Sequence, residues 1–154
     1  MKFLFASDSF KGSLSSQKTA ELLAKAAREI FPDCQCDSIV VADGGEGTTA
    51  AVLAATNGKK LPVQVHGPLW EDITSNYGML DGNRAVMEMA AASGLPLVPE
   101  EKRDPRYTTS YGTGEMIADA LRRGFRDISI AIGGSATNDG GIGCIRALGG
   151  KFLD

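Results

Sequence analysis

Three short segments of this chain share a pattern that restricts the fold more than any other feature. Each follows an apolar stretch with strand character, combines glycine with aspartate, and leads into a stretch with helical character. The segments are SDSFKGS at 7–13, ADGGEGTT at 42–49 and GGSATNDGG at 133–141. Strands that alternate with helices are typical of a parallel sheet, because the helix returns the chain to the edge where the strand began. The pattern predicts an α/β fold with flanking helices.

Apolar periodicity places the elements of the first part of the chain. Buried strands are predicted at 2–7 and 38–42, and helices over about 16–30 and from 45–47 to 56. Ser13 or Ser15 is the predicted cap of the first helix, and Pro32 lies just beyond its end. We expect residues 1–66 to form the first half of a parallel α/β domain.

The middle of the chain has a different pattern. Strands are predicted at 60–66, 73–80, 85–89 and 127–132, with a tight reversal at 81–83 and helices over about 113–123 and 139–148. Residues 67–154 are therefore expected to begin a second, mixed α/β subdomain. Residues 151–154 have the pattern of a new strand, and we expect an incomplete fold, truncated at the C-terminal end.

Charge and hydropathy exclude several classes of function. The 154 residues carry a net charge of −3 and have no basic stripe with interleaved aromatic residues, so no nucleic-acid partner is expected. No apolar run approaches the ~18 residues that span a bilayer, so no membrane partner is expected and the cytoplasm is the predicted location. The chain has a single histidine, His66, and three cysteines without metal-binding spacing, so a His/Cys metal site is not expected.

The three glycine- and aspartate-containing loops have the composition of a phosphate and metal site. Backbone amides at a helix N-terminus attract phosphate, and carboxylates are natural ligands of Mg²⁺. Lys11 adds a cation that neutralises charge on a transferring phosphoryl group. The plainer alternative is that each aspartate caps a helix while the glycines turn the chain. The chain contains no Walker A motif, and its G-x-G-x-x-G match at 141–146 has Arg146 in place of the third glycine.

Candidates for substrate binding lie between the second and third loops. Arg103 and Arg106 could each clasp a carboxylate with two parallel hydrogen bonds, or could belong to a solvated loop. Glu88 either faces a cleft or is an exposed carboxylate at a strand end. His66 is distant in sequence from any carboxylate partner, and we assign it no catalytic role.

Five sequence blocks resemble, in order, the signature blocks of bacterial glycerate kinases. They are DSFKGSL at 8–14, VADGGEGT at 41–48, EMAAASGL at 88–95, TSYGTGE at 109–115 and IGGSATNDGG at 132–141. The resemblance covers nearly the whole chain and identifies it as the amino-terminal portion of a member of the family. It implies two α/β subdomains, one of them flavodoxin-like. It further implies ATP and Mg²⁺ as cofactors and D-glycerate as the substrate. It also implies 2-phosphoglycerate as the product, in glycerate, glyoxylate or sugar-acid catabolism.

With the resemblance, the residues receive provisional roles. Asp43 and Asp139 would bind Mg²⁺ or accept the proton of the substrate hydroxyl, and Lys11 would steady the transferring phosphoryl group. Asp8 is a further metal candidate. The nucleotide phosphates would be bound around Gly44, Gly45, Gly47, Gly133, Gly134, Ser135 and Asn138. The substrate carboxylate would be bound by Arg103 or Arg106, with Ser110 nearby.

Two other functions remain open at this point. One is a phosphatase or other phosphotransferase that uses Asp8 as its nucleophile. The other is a nucleotide- or anion-binding fragment without turnover. The sequence also leaves open whether the chain forms a homo-oligomer, and whether the 2- or the 3-hydroxyl of glycerate is phosphorylated.

Overall fold

The computed structural model describes residues 1–10 and 13–153. It divides into two compact units, one up to Asp43 and one from Gly44 onward. Lys11, the predicted phosphoryl-binding cation, lies outside the described residues. No helix in the described ranges is both long and apolar enough to cross a membrane.

The first unit is a strand–helix–strand motif. Strand β1 (Lys2–Ser7) is followed by helix α1 (Ser16–Ile30) and strand β2 (Gln35–Val40), and the two strands pair in parallel. Helix α1 begins after Ser15, whose hydroxyl accepts a hydrogen bond from the amide of Lys18 at 3.2 Å. The parallel arrangement confirms the α/β prediction for this part of the chain.

Strand β2 lies about three residues earlier than the sequence predicts. The prediction followed the apolar run at 38–42, whereas the strand includes the polar residues at its start. The register explains the difference, because Gln35 pairs with Lys2 and Asp37 with Leu4. Backbone pairing with β1, together with an ion pair of 2.8 Å between Lys2 and Asp37, holds this polar segment in the sheet.

The second unit has a mixed four-stranded sheet. Its strands lie in the order β3-β4-β5-β6, with two antiparallel pairs and a parallel β5–β6 pair. The elements are α2 (Thr48–Thr56), β3 (Lys59–His66), β4 (Asp72–Met79), β5 (Arg84–Glu88), α3 (Ala90–Ser93), α4 (Tyr111–Arg122), β6 (Asp127–Ala131) and α5 (Ile142–Ala147). Single 3₁₀ turns follow α3 at Leu95–Leu97 and Glu100–Lys102. The mixed α/β class expected for this region is confirmed.

The compact units divide earlier than residue 66, where the sequence analysis places the domain boundary. Strand β3 pairs with β4 along its whole length, from Lys59 opposite Met79 to His66 opposite Asp72. This hairpin ties β3 to the mixed sheet rather than to β1 and β2. Residues 151–153, predicted as the start of a strand, have no regular secondary structure.

The core of the second unit fixes α4 against the sheet. Tyr77, Met87 and Met116 are fully buried and pack with Val65 and Phe125. The parallel β5–β6 pair places Glu88 opposite Ala131, so the two strands end at the same edge. In parallel sheets the segments that follow such an edge are the usual ligand-binding positions.

Candidate active site at two glycine-rich loops

Two of the three glycine-rich loops are in direct contact. The amide of Gly133 donates a hydrogen bond of 2.7 Å to the carbonyl oxygen of Gly44. A Cβ atom on Gly133 would lie 2.8 Å from that oxygen and 2.9 Å from Cα of Gly45. Any side chain at position 133 would therefore push the two loops apart, so glycine is required there by close backbone approach.

The loop after β6 is held by the segment after α3. The amide of Leu95 donates to the carbonyl of Gly134 and that of Ala136 to the carbonyl of Ser93, each at 2.9 Å. The hydroxyl of Thr108, which is 6% exposed, donates to the carbonyl of Ala136 at 2.8 Å. These contacts connect the sequence blocks at 88–95 and 132–141, which lie far apart along the chain.

This anchoring leaves two backbone amides exposed at the turn. The amides of Gly134 and Ser135 have no acceptor among the described residues. The Ser135 hydroxyl instead interacts with Thr137, whose amide donates to it at 3.0 Å. Asn138 is exposed, and its side chain has no hydrogen bond within the described part of the chain. Consecutive backbone amides without an acceptor at an exposed turn are suited to bind an anion such as phosphate.

Glu88 lies at the N-terminus of α2. Its carboxylate accepts hydrogen bonds from the amides of Gly47, at 3.3 Å, and Thr49, at 3.0 Å. The helix dipole favours a negative charge at this position. The sequence did not decide whether Glu88 faces a cleft or lies exposed at a strand end. In the structure its carboxylate connects the end of β5 to the start of α2. The Gly47 amide, predicted to bind phosphate, is engaged by this internal carboxylate.

Asp139 is surrounded by hydrogen-bond donors from two helices. The amide of Ser110 donates to its carboxylate at 2.9 Å and the Ser110 hydroxyl at 2.8 Å. The amides of Gly141 and Gly143 donate to it at 3.0 and 3.1 Å. An ionised carboxylate offers about four lone-pair sites, so these four donors satisfy it completely.

The pKa of Asp139 reflects these contacts. Burial raises the pKa, but the hydrogen bonds from Ser110, Gly141 and Gly143 outweigh burial and hold it below the ordinary value of an aspartate. Asp139 is therefore ionised and fixed, and it joins the start of α4 to the start of α5. This geometry is that of a residue that holds the loop in position. It is less suited to binding a metal or taking up a proton.

Ser110 acts as part of the same junction. Its side chain is 3% exposed, and its hydroxyl accepts a hydrogen bond of 3.0 Å from the amide of Cys144 while donating to Asp139. The hydroxyl therefore has protein partners both as a donor and as an acceptor. The substrate-binding role predicted for Ser110 stays a prediction, and its hydrogen bonds favour an indirect one.

Two aspartates of the first unit, Asp8 and Asp43, follow the ends of neighbouring strands. Asp8 comes directly after β1 and Asp43 three residues after β2, and the register pairs Ser7 with Val40. Oδ1 of Asp8 accepts a hydrogen bond of 2.7 Å from the amide of Ser9. Within the described residues, no cluster of three or more His, Cys, Asp or Glu side chains is placed to hold a metal ion.

Arg103 and Arg106 have different surroundings. Arg106 forms a forked ion pair with Asp104, and this partner lowers the pKa of Asp104 to about 2. Nε of Arg103 donates to the carbonyl of Val98 at 3.3 Å, and no carboxylate contacts it in the described structure. Arg103 also lines a cavity of about 270 Å³ together with residues of the loop after β6, among them Ser135.

The structure gives His66 a partner that sequence analysis missed. Nδ1 of His66 lies 3.1 Å from the carboxylate of Glu115, which also accepts the backbone amide of His66 at 2.7 Å. The rings of Trp70 and Tyr111 pack against His66 with centroid distances of 5.8 and 5.6 Å. No local pattern indicates this pairing, because the partners lie on β3 and α4, 49 residues apart.

Comparison with known proteins places these features in context. Residues 3–154 match a family model described as the glycerate kinase family. The chain is 56% identical to glycerate 2-kinase of Escherichia coli (strain K12) and 52% identical to glycerate kinase of Bacillus subtilis (strain 168). Each alignment covers 100% of this chain and 41% of the relative, so the chain spans about two fifths of the length of these curated relatives.

A solved structure is similar in fold as well as sequence. It is the crystal structure of a protein from Salmonella typhimurium LT2 that is provisionally named glycerate kinase 2. The match has a TM-score of 0.74 and 50% identity, and it covers 96% of this chain and 40% of the other.

Proposed function

Because the chain belongs to the glycerate kinase family, we propose that it carries the phosphate-binding part of a kinase that transfers the γ-phosphate of ATP to D-glycerate. The observation that carries the proposal is the contact between the loops at 44–48 and 133–141, which leaves the amides of Gly134 and Ser135 without acceptors at an exposed turn. Phosphoryl transfer requires mainly positioning and charge stabilisation, which such a turn supplies.

The proposed nucleotide site uses backbone rather than side-chain groups for the phosphates. The amides of Gly134 and Ser135 donate to phosphate oxygens, and Asn138 offers a side-chain amide beside them. Gly133 allows the second loop, with Gly44 and Gly45, to approach this turn. The amide of Gly47 would join the phosphate contacts only if Glu88 withdrew, so we give it a secondary role.

Asp8 and Asp43 are the residues that best fit Mg²⁺. They follow the ends of adjacent parallel strands, and Mg²⁺ typically takes one or two carboxylates together with substrate phosphates and water. Mg²⁺ held by these carboxylates would supply positive charge. Asp139 fits a metal less well, because its carboxylate is already satisfied by four donors. We therefore propose that Asp139 positions the loop and that Asp43 accepts the proton of the substrate hydroxyl. Lys11 keeps its proposed role at the transferring phosphoryl group.

The product and the cellular setting belong to the same proposal. The name of the E. coli relative, glycerate 2-kinase, supports transfer to the 2-hydroxyl and hence 2-phosphoglycerate as product. The reaction would serve glycerate, glyoxylate or sugar-acid catabolism in the cytoplasm.

A coupled ADP-release assay with D-glycerate tests the proposal. It is run on this chain and on a hybrid in which the chain replaces the matching segment of the E. coli relative, to which it is 56% identical. We expect glycerate-dependent ADP release from the hybrid. The ³¹P spectrum of the product identifies the acceptor hydroxyl, since 2-phosphoglycerate gives a doublet and 3-phosphoglycerate a triplet.

Two controls separate the alternatives. ATP binding without any glycerate-dependent ADP release by the hybrid would contradict the kinase and select a nucleotide-binding fragment. An aspartyl-phosphate trapped on Asp8 would select the phosphatase or phosphotransferase alternative.

A further inference from the structure

We infer that the cavity beside the loop after β6 binds the acceptor carboxylate of a short hydroxy acid, and that Arg103, not Arg106, is the cation that receives it. The inference rests on the proposed function and specifies the place and the residue that bind the substrate carboxylate. Four observations carry it: the size of the cavity, the charge on its wall, the hydroxyl-bearing residues that also line it, and its position next to the proposed phosphate site.

The size of the cavity fits a small acceptor. Its volume is about 270 Å³, just below the ~300–1,000 Å³ of typical pockets for drug-sized ligands. This volume accommodates a molecule of three or four carbon atoms together with water. Leu95 and Val98 form part of the wall, and Val98 is 1% exposed, so one side of the cavity is firmly packed.

The charge in the cavity wall is positive. Arg103 and Asp104 both line the cavity, but Asp104 is bound by the guanidinium of Arg106, with Nε to Oδ1 at 2.9 Å. The pair of Asp104 and Arg106 therefore has no net charge, and the charge of Arg103 is uncompensated. The hydrogen bond from Nε of Arg103 to the carbonyl of Val98 fixes one edge of the guanidinium, while its terminal nitrogens remain available for a carboxylate.

Arg106 is unsuited to the same role. Its side chain is 78% exposed, and its fork is already occupied by Asp104. It is also absent from the residues that line the cavity. A substrate carboxylate would have to displace Asp104 to reach it.

Two further residues that line the cavity match a hydroxy acid and link the cavity to the phosphate site. Ser135 and Thr137 supply hydroxyls to the cavity wall, and these lie 2.8 Å from each other. Ser135 also contributes one of the two backbone amides without an acceptor. One residue thus borders both sites, so a hydroxyl held in the cavity would lie close to a phosphate held at the turn.

Arginine-to-lysine variants at the two positions provide a matched test in the hybrid protein. Both substitutions keep the positive charge and remove the fork that binds a carboxylate through two hydrogen bonds. We expect Arg103→Lys to raise the KM for D-glycerate about 10-fold, and Arg103→Met about 10- to 100-fold, the range of a lost charged hydrogen bond. Arg106→Lys should change this KM less than twofold, and the KM for ATP should stay constant in all three variants.

The preference for glycerate over glycerol as the phosphoryl acceptor is a second readout. A purely structural effect of the substitution would not change this preference. Glycerol has the hydroxyls of glycerate without the carboxylate, so Arg103→Met should reduce the preference for glycerate over glycerol by the same factor as it raises KM. Unchanged selectivity with Arg103→Met, or an equal effect of Arg106→Lys, would overturn the inference.

Calorimetry keeps the inference testable if the proposed function fails. A wild-type hybrid that releases no ADP with glycerate would contradict the kinase. D-Glycerate binding that is present in the wild-type protein and lost in Arg103→Met would then still support the cavity assignment. Equal binding by the two proteins, or no binding by either, would overturn it.

Discussion

Replacing Asp139 by asparagine tests whether this carboxylate is the structural junction between α4 and α5. Asparagine has nearly the same shape, but one carboxylate oxygen becomes an NH₂ group. The four donors around Asp139, two from Ser110 and the amides of Gly141 and Gly143, then meet one oxygen instead of two. Ser110 and Gly143 donate to Oδ2, so an asparagine with its oxygen at that position keeps these contacts. The amide of Gly141, which donates to Oδ1, then faces the new NH₂ group and loses its acceptor.

The expected loss follows from the cost of unpaired donors. A buried donor without a partner costs ~1–3 kcal/mol, so loss of the acceptor of Gly141 should cost about 1–3 kcal/mol in unfolding free energy. For a chain of this length that corresponds to a fall of about 3–10 °C in Tm. Thermal unfolding followed by circular dichroism measures it. Asp127→Asn is the control, because Asp127 is exposed and its side chain has no hydrogen bond among the described residues.

The pH dependence gives a second readout of the same junction. The pKa of Asp139 is lower in the folded state than its ordinary value, although burial opposes the shift, because the surrounding donors favour the ionised form. Its stabilisation is therefore complete above the unfolded pKa, near ~4, and is lost as pH falls through the folded pKa. Asp139→Asn should remove this acid-dependent loss. A variant that melts within about 2 °C of wild type, with the same acid profile, would refute the reasoning.

Three further changes probe the core and the loop contacts. Tyr77→Phe removes a 2.9 Å hydrogen bond to Asp119 and should cost about 1 kcal/mol in urea unfolding. Burial and Asp119 raise the pKa of Tyr77 to about 12, so wild-type stability should fall above the unfolded pKa of ~10 and the variant should lack that fall. Gly133→Ala places a Cβ 2.8 Å from the Gly44 oxygen and should weaken ATP binding by the hybrid; a normal KM for ATP would count against the loop contact. Glu88→Gln should speed hydrogen exchange of the first amides of α2. Unchanged exchange rates would contradict the role of Glu88 as their acceptor.

Local sequence patterns were sufficient for much of the fold. The apolar periodicity and Ser15 located α1, and the reversal at 81–83 located the β4–β5 turn, because each signal lies within a few residues of the structure it specifies. The limits of β2 were less accurate, since pairing with β1 rather than its own apolar run determines where it begins.

The contacts that define the candidate site could not be predicted in this way. Glu88 reaches Thr49 across 39 residues, and Asp139 reaches Ser110 across 29. Tertiary packing brings each of these pairs together. A sequence also does not show whether an acidic side chain binds a metal or caps a helix. The sequence marked the glycine-rich loops as candidate phosphate sites, but it did not show which of their amides are already occupied.

Titration of the ¹⁵N-labelled chain with Mg²⁺ and a non-hydrolysable ATP analogue, followed by amide chemical shifts, examines phosphate binding at the joined loops. We predict that the largest shifts occur at Gly134 and Ser135, whose amides have no acceptor among the described residues. The Gly133 amide, bound to Gly44, should move little. Saturable shifts confined to other parts of the chain, with Gly134 and Ser135 unchanged, would contradict the proposed phosphate site.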